Sequence, residues 1–290
     1  MPLEKLHHLA KRYEHYKGIA SESYLHAAHV FQRDTDSEYE AMLYNPFICI
    51  ILQGRKEVHI GQNSVSLVPN DALLVSHDLP VTAKIFEASQ AAPYRSLVFA
   101  LDMGLLRSLY DQVGEMFQNE ASASALAATP ADPSFIAPMV RYLELMDAPL
   151  DAQILGPMIV KEIHFRLLMS PIGGMLRNLL SVDSHASRIA RSINKIRSSF
   201  REPLIVAELA EIAGMSPSSF HEHFKSVTGT TPLQYQKDLR LIEAREILLK
   251  GTPSVSAAGF EVGYESPTHF SRDYSRKFGC SPKHHRALAK

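Results

Sequence analysis

The chain has 290 residues, 46% of them hydrophobic and 21% charged, the balance of an ordinary folded protein and a length that suits two domains. No apolar run approaches the ~18 residues needed to cross a bilayer, and Met1-Pro2-Leu3-Glu4-Lys5 lacks the pattern of a secretory signal. Two distant cysteines, Cys49 and Cys280, exclude a disulfide framework or a cysteine-rich zinc module and fit a reducing cytoplasm. The net charge of −1 conceals an asymmetry. Residues 1–183 hold 14 Lys+Arg against 21 Asp+Glu, whereas residues 184–290 hold 16 against 10. A basic module joined to an acidic one suggests a polyanion partner for the basic part alone.

In chain order, residues 3–17 (Leu3, Leu6, Leu9, Tyr13, Tyr16) carry apolar side chains every three to four positions and predict an amphipathic helix ending at Gly18. From about 24 to 102 the texture is that of strands. The runs are 47–52, 58–60, 65–68, 73–75, 81–86 and 97–99, stopped by Gly54, Gly61 and Pro69-Asn70-Asp71. Short strands with frequent turn residues predict an antiparallel sandwich or barrel, whose interior can hold one small ligand. The helical period returns with Leu105, Leu106, Leu109, Val113 and Met116. Residues 119–133, small and proline-punctuated, read as a loop. Helices follow at about 134–147 and 151–169, Pro171-Ile172-Gly173-Gly174 breaks the chain, and from 184 it is helical to its end.

An internal repeat with a period of 50 is the strongest signal. Phe220, Phe224, Gly229 and Pro232 recur as Phe270, Tyr274, Gly279 and Pro282. Each copy is preceded by a glycine, a turn and Ser-Pro: Gly214-Met215-Ser216-Pro217 and Gly263-Tyr264-Glu265-Ser266-Pro267. Glycine tolerates the left-handed conformation that ends a helix, serine caps the next one, and proline at its first position has no N–H to leave unpaired. Each copy is therefore a helix-turn-helix, at about 206–228 and 254–278, with a connecting helix at about 232–249.

Residues from about 190 to 288 resemble the DNA-binding region of the AraC/XylS family of bacterial transcription regulators. The resemblance is carried by Ala207-Glu208-Leu209-Ala210, Gly214-Met215-Ser216, Phe220-His221-Glu222-His223-Phe224-Lys225 and the stretch Gly263–Pro282. Leu52-Gln53-Gly54-Arg55-Lys56, Asp78-Leu79-Pro80-Val81 and Pro93-Tyr94 resemble the regulatory domain of one AraC-family subgroup. The expected architecture is a two-domain α+β chain. Residues 1–183 form a regulatory unit, a cupin-like antiparallel β-barrel with flanking helices. Residues 184–290 form an all-α domain with two helix-turn-helix motifs.

With Phe220 and Phe224 inward, helical spacing turns Ser218, His221, Glu222 and Lys225 outward; with Phe270 and Tyr274 inward, it turns out Thr268, Ser271 and Arg272. Arg272 is the candidate reader of guanine O6 and N7, and Glu222 can accept from cytosine N4. Lys225, Lys237, Arg240, Arg276, Lys277, Lys283 and Arg286 are phosphate candidates. Two such units on one stiff helix suit major-groove segments about one turn (~34 Å) apart.

The expected partners are double-stranded DNA, RNA polymerase, a small-molecule effector and a second copy of the chain. Dimerisation is suggested by apolar residues on the helices (Leu105, Leu109, Val113, Ile159, Ile163, Phe165). The excess of acidic residues in 1–183 weakly disfavours an anionic effector. No cofactor is expected. A metal-dependent barrel needs two histidines two apart on a strand plus further ligands; His59 stands with only Glu57 on its face, His26 and His29 are three apart, and His77 adjoins a turn. No nucleophile elbow, phosphate loop or dinucleotide fingerprint occurs either. Two rivals to a regulator remain: a metal-dependent cupin-like enzyme with a DNA-binding tail, and an adaptor that uses its helical repeats to bind protein.

Overall fold

The structure, a computed structural model, describes residues 2–19, 25–61, 63–116, 124–182, 184–251 and 253–288. Helix α1 (Pro2–Ile19) runs through Gly18, and buries Leu6, Leu9, Ala10 and Tyr13; the side chain of Tyr16 lies outside what is described. Eight strands follow: β1 (Ala28–Arg33), β2 (Glu40–Tyr44), β3 (Phe47–Gln53), β4 (Arg55–Ile60), β5 (Asn63–Leu67), β6 (Asp71–Val75), β7 (Leu79–Phe86) and β8 (Tyr94–Ala100). After α2 (Met103–Val113) a ninth, β9 (Leu126–Pro130), pairs with β6. That segment falls in the expected loop, of which 119–123 lie outside the described residues. Small residues and a proline hide a strand that owes its shape to the β6 edge it completes, with Val75 opposite Leu126.

The strands form two antiparallel sheets, β1-β8-β3-β6-β9 and β2-β7-β4-β5, stacked as an open sandwich. The expected barrel is not closed, because among the described residues no ladder joins one sheet's edge to the other's; the two-domain α+β class holds. The first sheet is covered on both sides, which is why β3 reads as an unbroken apolar run. Ile48, Ile50 and Leu52 face the helices, while Cys49 and Ile51 face the second sheet.

Helices α3 (Pro133–Glu144), α4 (Pro149–Met169) and α5 (Gly174–Leu180) complete the first core with α1 and α2. The apolar positions expected to be spare are spent there: Leu109 and Ile163 are buried, and Leu105, Val113, Ile159 and Phe165 pack against the same core.

The remainder is helical: α6 (His185–Ser198), α7 (Val206–Ile212), α8 (Pro217–Thr228), α9 (Pro232–Leu249), α10 (Val255–Glu261), α11 (Pro267–Phe278) and α12 (Pro282–Leu288). Here the core does not respect the change in charge. One contiguous cluster joins the sandwich interior (Val58, Ile60, Leu79, Leu126) to α6, α8 and α9 (Ile189, Ile193, Phe224, Val227, Tyr235, Leu239). A third, smaller core holds α9 to α10 and α11 through Leu241, Ala244, Leu248, Ala258, Val262, Phe270 and Tyr274. Among the described residues no helix is long and apolar enough to cross a membrane.

Candidate nucleic-acid interface

The two helix-turn-helix units are built alike. Gly214 (φ +63°) and Gly263 (φ +88°) take the left-handed conformation in the turns. In both copies the glycine N–H donates three residues back, to Glu211 O and Phe260 O, and the next N–H donates five back, to Ala210 O and Gly259 O. Ser216 Oγ then accepts from Ser219 N–H at 3.3 Å, and Ser266 Oγ from His269 N–H at 3.4 Å, with Pro217 and Pro267 opening α8 and α11. Both helices stop on a left-handed glycine, Gly229 and Gly279 (φ +70° each). Phe220, Phe224, Phe270 and Tyr274 are fully buried, which fixes the rotation of each helix about its axis.

That rotation leaves Ser218, His221, Glu222 and Lys225 exposed on α8, and Thr268 and Arg272 exposed on α11, while Ser271 is half-buried. No described residue holds Arg272 by a hydrogen bond or ion pair, so its fork of donors is free for a nucleic-acid partner. Of the other cations, Arg276 is exposed and lies 3.8 Å from Asp273, and Lys283 and Arg286 are exposed. Three phosphate candidates are engaged internally. Lys277 pairs with Asp238 (3.0 Å), Lys237 pairs with Asp273 (2.8 Å), and Arg240 is absorbed by the backbone. Sequence spacing marks a cation on an outer face without revealing the carboxylate that a neighbouring helix brings to it.

Arg240 is the residue that spacing misassigns most. It sits midway along α9 and donates four hydrogen bonds to main-chain carbonyls. Its Nε reaches Phe200 O (2.6 Å), Nη2 reaches Arg201 O (3.1 Å) and Glu202 O (2.8 Å), and Nη1 reaches Gly263 O (2.9 Å). The first three belong to the α6–α7 loop that leads into the first unit and the fourth to the turn of the second. Arg201 Nε donates to Glu261 O across the same seam (3.1 Å), and a Cβ on Gly263 would stand 2.1 Å from Arg201 O. The two units are thus clamped directly, not merely strung on a shared helix.

The model of the AraC-type transcriptional regulator N-terminus matches residues 25–175, more than half of the chain, and a helix-turn-helix domain model matches residues 209–287. The chain belongs to the AraC-type transcriptional regulators. It is a sequence-specific DNA-binding regulator of that type. Over 248 residues it is 23% identical to the HTH-type transcriptional regulator ExsA of Pseudomonas aeruginosa, covering 82% of this chain and 85% of ExsA. Over 126 residues it is 36% identical to the RCS-specific HTH-type transcriptional activator RclR of Escherichia coli, covering 43% of this chain and 38% of RclR. Its fold is similar to that of ToxT from Vibrio cholerae (TM-score 0.56, 13% identity, 90% of this chain and 97% of ToxT).

In this regulator the first helix-turn-helix is docked on the sandwich. Asp78 pairs with Arg197 of α6, and Tyr235 of α9 donates its hydroxyl to Asp78 O at 2.6 Å. Ala125 N–H donates to Val227 O at the end of α8 (3.0 Å), and α9 lies against β2 and β7. Gly61 and Gly229 abut so closely that a Cβ on Gly61 would stand 2.0 Å from Gly229 O. Beside this seam lies a cleft of about 200 Å³ lined by Pro46, Ser76, His77, Asp78, Arg107 and Asn194. Burial holds the His77 imidazole neutral, its pKa pushed down to about 4 despite a contact with Ala186 O.

The other histidines do not converge. His59 Nε2 lies 2.9 Å from Glu57 Oε1, and His185 and His223 stack on each other (3.7 Å between centroids). Among the described residues no three of His, Cys, Asp and Glu gather as a metal would require. The docked seam was invisible in the sequence because it is made of ordinary apolar side chains. Gly61, read there only as the stop of a strand, takes a positive φ (+57°) at the point of closest approach.

Proposed function

We propose that residues 184–290 read two successive major-groove segments and that residues 1–183 report the binding of a small molecule to them. Arg272 reads guanine, Glu222 reads cytosine, and Ser218, His221, Thr268 and Ser271 contact base edges or phosphates. Lys225 and Arg276, with Lys283 and Arg286, hold the backbone; Lys277 serves phosphate only if it leaves Asp238. The observation that carries the reading is the paired geometry: two identically capped helices, each rotated by buried aromatics to present a polar face, held at a fixed separation by Arg240. Binding to duplex must then weaken steeply with salt. A salt titration of affinity on a duplex selected from random sequence tests this. A flat salt response, or equal affinity for scrambled duplex, would overturn it in favour of the protein adaptor.

The sensing role is supported by the core shared between sandwich and first helix-turn-helix. A ligand that favours one arrangement of the sandwich acts on α6, α8 and α9 through direct contact, and shifts the DNA-binding equilibrium by its differential affinity. A second copy of the chain is proposed to dock on α4, where Leu150, Ile154, Leu155 and Met158 form one exposed apolar face. Sedimentation showing only monomer at micromolar concentration overturns that part. The regulator works where its DNA lies, in the cytoplasm.

A further inference from the structure

The interior of the sandwich contains polar groups that nothing in the fold explains. Lys56 sits on β4 in phase with Val58 and Ile60, both buried, so its side chain points between the sheets. Its ammonium lies over the Tyr44 ring, 5.2 Å from the centroid, and the ionisable groups that bear on it are Tyr44, Tyr94 and Cys49. No described carboxylate pairs with it. Tyr44 and Tyr94 are themselves buried, and neither phenol oxygen makes a hydrogen bond of good geometry; the polar side chains that bear on them are the Lys56 ammonium for Tyr44 and Ser96 for Tyr94. A cation without a carboxylate beside it and two poorly satisfied hydroxyls at one place in a protein interior are costly, and such groups are ordinarily paired. Three groups able to donate, with no carboxylate among the described residues to receive them, describe the negative image of an anion.

We propose that Lys56, with the hydroxyls of Tyr44 and Tyr94, binds the carboxylate of a small organic acid whose apolar body lies among the inner side chains of the sandwich. This rests on the sensor reading above and supplies its ligand class. One positive charge and two neutral donors match a monoanion with two oxygens; a dianionic phosphate calls for more charge. The surroundings (Ile51, Val58, Val81, Ile85) are apolar and match a hydrocarbon body. The overall acidity of residues 1–183 does not forbid this, since a cation at contact distance in a low-dielectric interior outweighs surface charges that water screens. The same inner face of β4 leads away from Lys56 to a cleft of about 90 Å³ lined by Val58, Ile60, Val65, Leu126, Val227 and Gly229, where the sandwich meets the end of α8. An acid anchored at Lys56 therefore lies in line with the first reading helix.

The test uses the full-length protein with benzoate and octanoate as probes, benzyl alcohol and 1-octanol as uncharged counterparts, all at equal ionic strength. Calorimetric titration and thermal melting are followed for the natural chain, Lys56→Met and Tyr94→Phe. At least one carboxylate is expected to bind and raise the melting temperature where its alcohol does not. Lys56→Met is expected to melt no lower than the natural chain without ligand and to lose about tenfold or more in carboxylate affinity, with Tyr94→Phe intermediate. The proposal is overturned if both carboxylates act no differently from their alcohols, or if Lys56→Met keeps the response. It is equally overturned if both variants melt well below the natural chain without ligand, which would make the cluster structural. The sensor reading fails separately: carboxylate binding that leaves affinity for the selected duplex unchanged sinks sensing but not the site. A ligand effect on DNA that survives Lys56→Met sinks the site but not sensing.

Discussion

Replacing Arg240 by alanine should uncouple the two reading helices while leaving each of them folded. The guanidinium donates to four carbonyls, three in the α6–α7 loop that leads into the first unit and one in the second. A hydrogen bond from a charged donor contributes about 1.5–3 kcal/mol, but this group is only half-buried and the freed carbonyls of Arg201 and Glu202 can turn to water. The total loss of stability should therefore be about 2–4 kcal/mol, well below four full bonds. The functional loss is more specific. With the units rigidly paired, the second binds as part of the same event; once it can swivel on α9, that advantage shrinks, and affinity for a two-segment site should fall about 10- to 100-fold. Affinity for a duplex carrying only one segment should change little. Fluorescence anisotropy on duplexes whose segments are moved apart by single base pairs reads this directly. The natural protein should show a sharp optimum, because each added pair turns the second segment by about 34°. Arg240→Ala should show a flattened profile, and Arg240→Lys, which keeps the charge but loses the fork, should resemble it. If Arg240→Ala keeps the sharp optimum, or weakens one-segment and two-segment duplexes equally, the clamp does not set the spacing.

Arg272→Ala should cost about 1–3 kcal/mol at the selected site and relax preference at one base position; equal loss on every sequence in a binding-site selection would make it a phosphate contact. Gly263→Ala should destabilise by more than about 2 kcal/mol, because it adds a left-handed penalty to a clash with Arg201 O. Gly279→Ala, where a Cβ meets nothing within 4 Å, should cost only about 1 kcal/mol; urea melts giving equal losses would refute the difference. His77 takes up a proton near its ordinary 6.5 in the unfolded chain but only near 4 when folded. The contribution of its neutral form is thus complete above pH 6.5 and is lost as pH falls from about 6.5 to about 4, by roughly 3 kcal/mol. His77→Gln should flatten stability over that window, and an unchanged slope in denaturant midpoints would refute the assignment.

The helix-turn-helix units were legible because each step of their construction is a local rule. A left-handed glycine, a serine cap, a proline and two aromatics four apart are read within a dozen residues, and the repeat states them twice. The boundaries of α9, and the inward positions Leu241, Ala244 and Leu248, follow from the same periodicity. What the sequence hid depends on distant partners. β1 and β2 are short and mixed in polarity, and β9 is a strand only because β6 offers it an edge. Lys237 and Lys277 look like free cations until α11 and α9 bring Asp273 and Asp238 beside them. The expected dimer surface failed for the same reason: an apolar helical stripe says that something covers it, not whether that is the same chain.

The core that runs from the sandwich into α6, α8 and α9 has a practical consequence. A reader cut free near residue 184 would lose the sandwich contacts of Val227, Tyr235 and Gly229 and the cover that the shared core gives to α8 and α9. Such a fragment should be sticky and poorly soluble, and a chimera that grafts this reader onto another receptor must bring along the sandwich face that shelters it. Modularity in this chain is a property of the sequence alphabet, not of the folded solid.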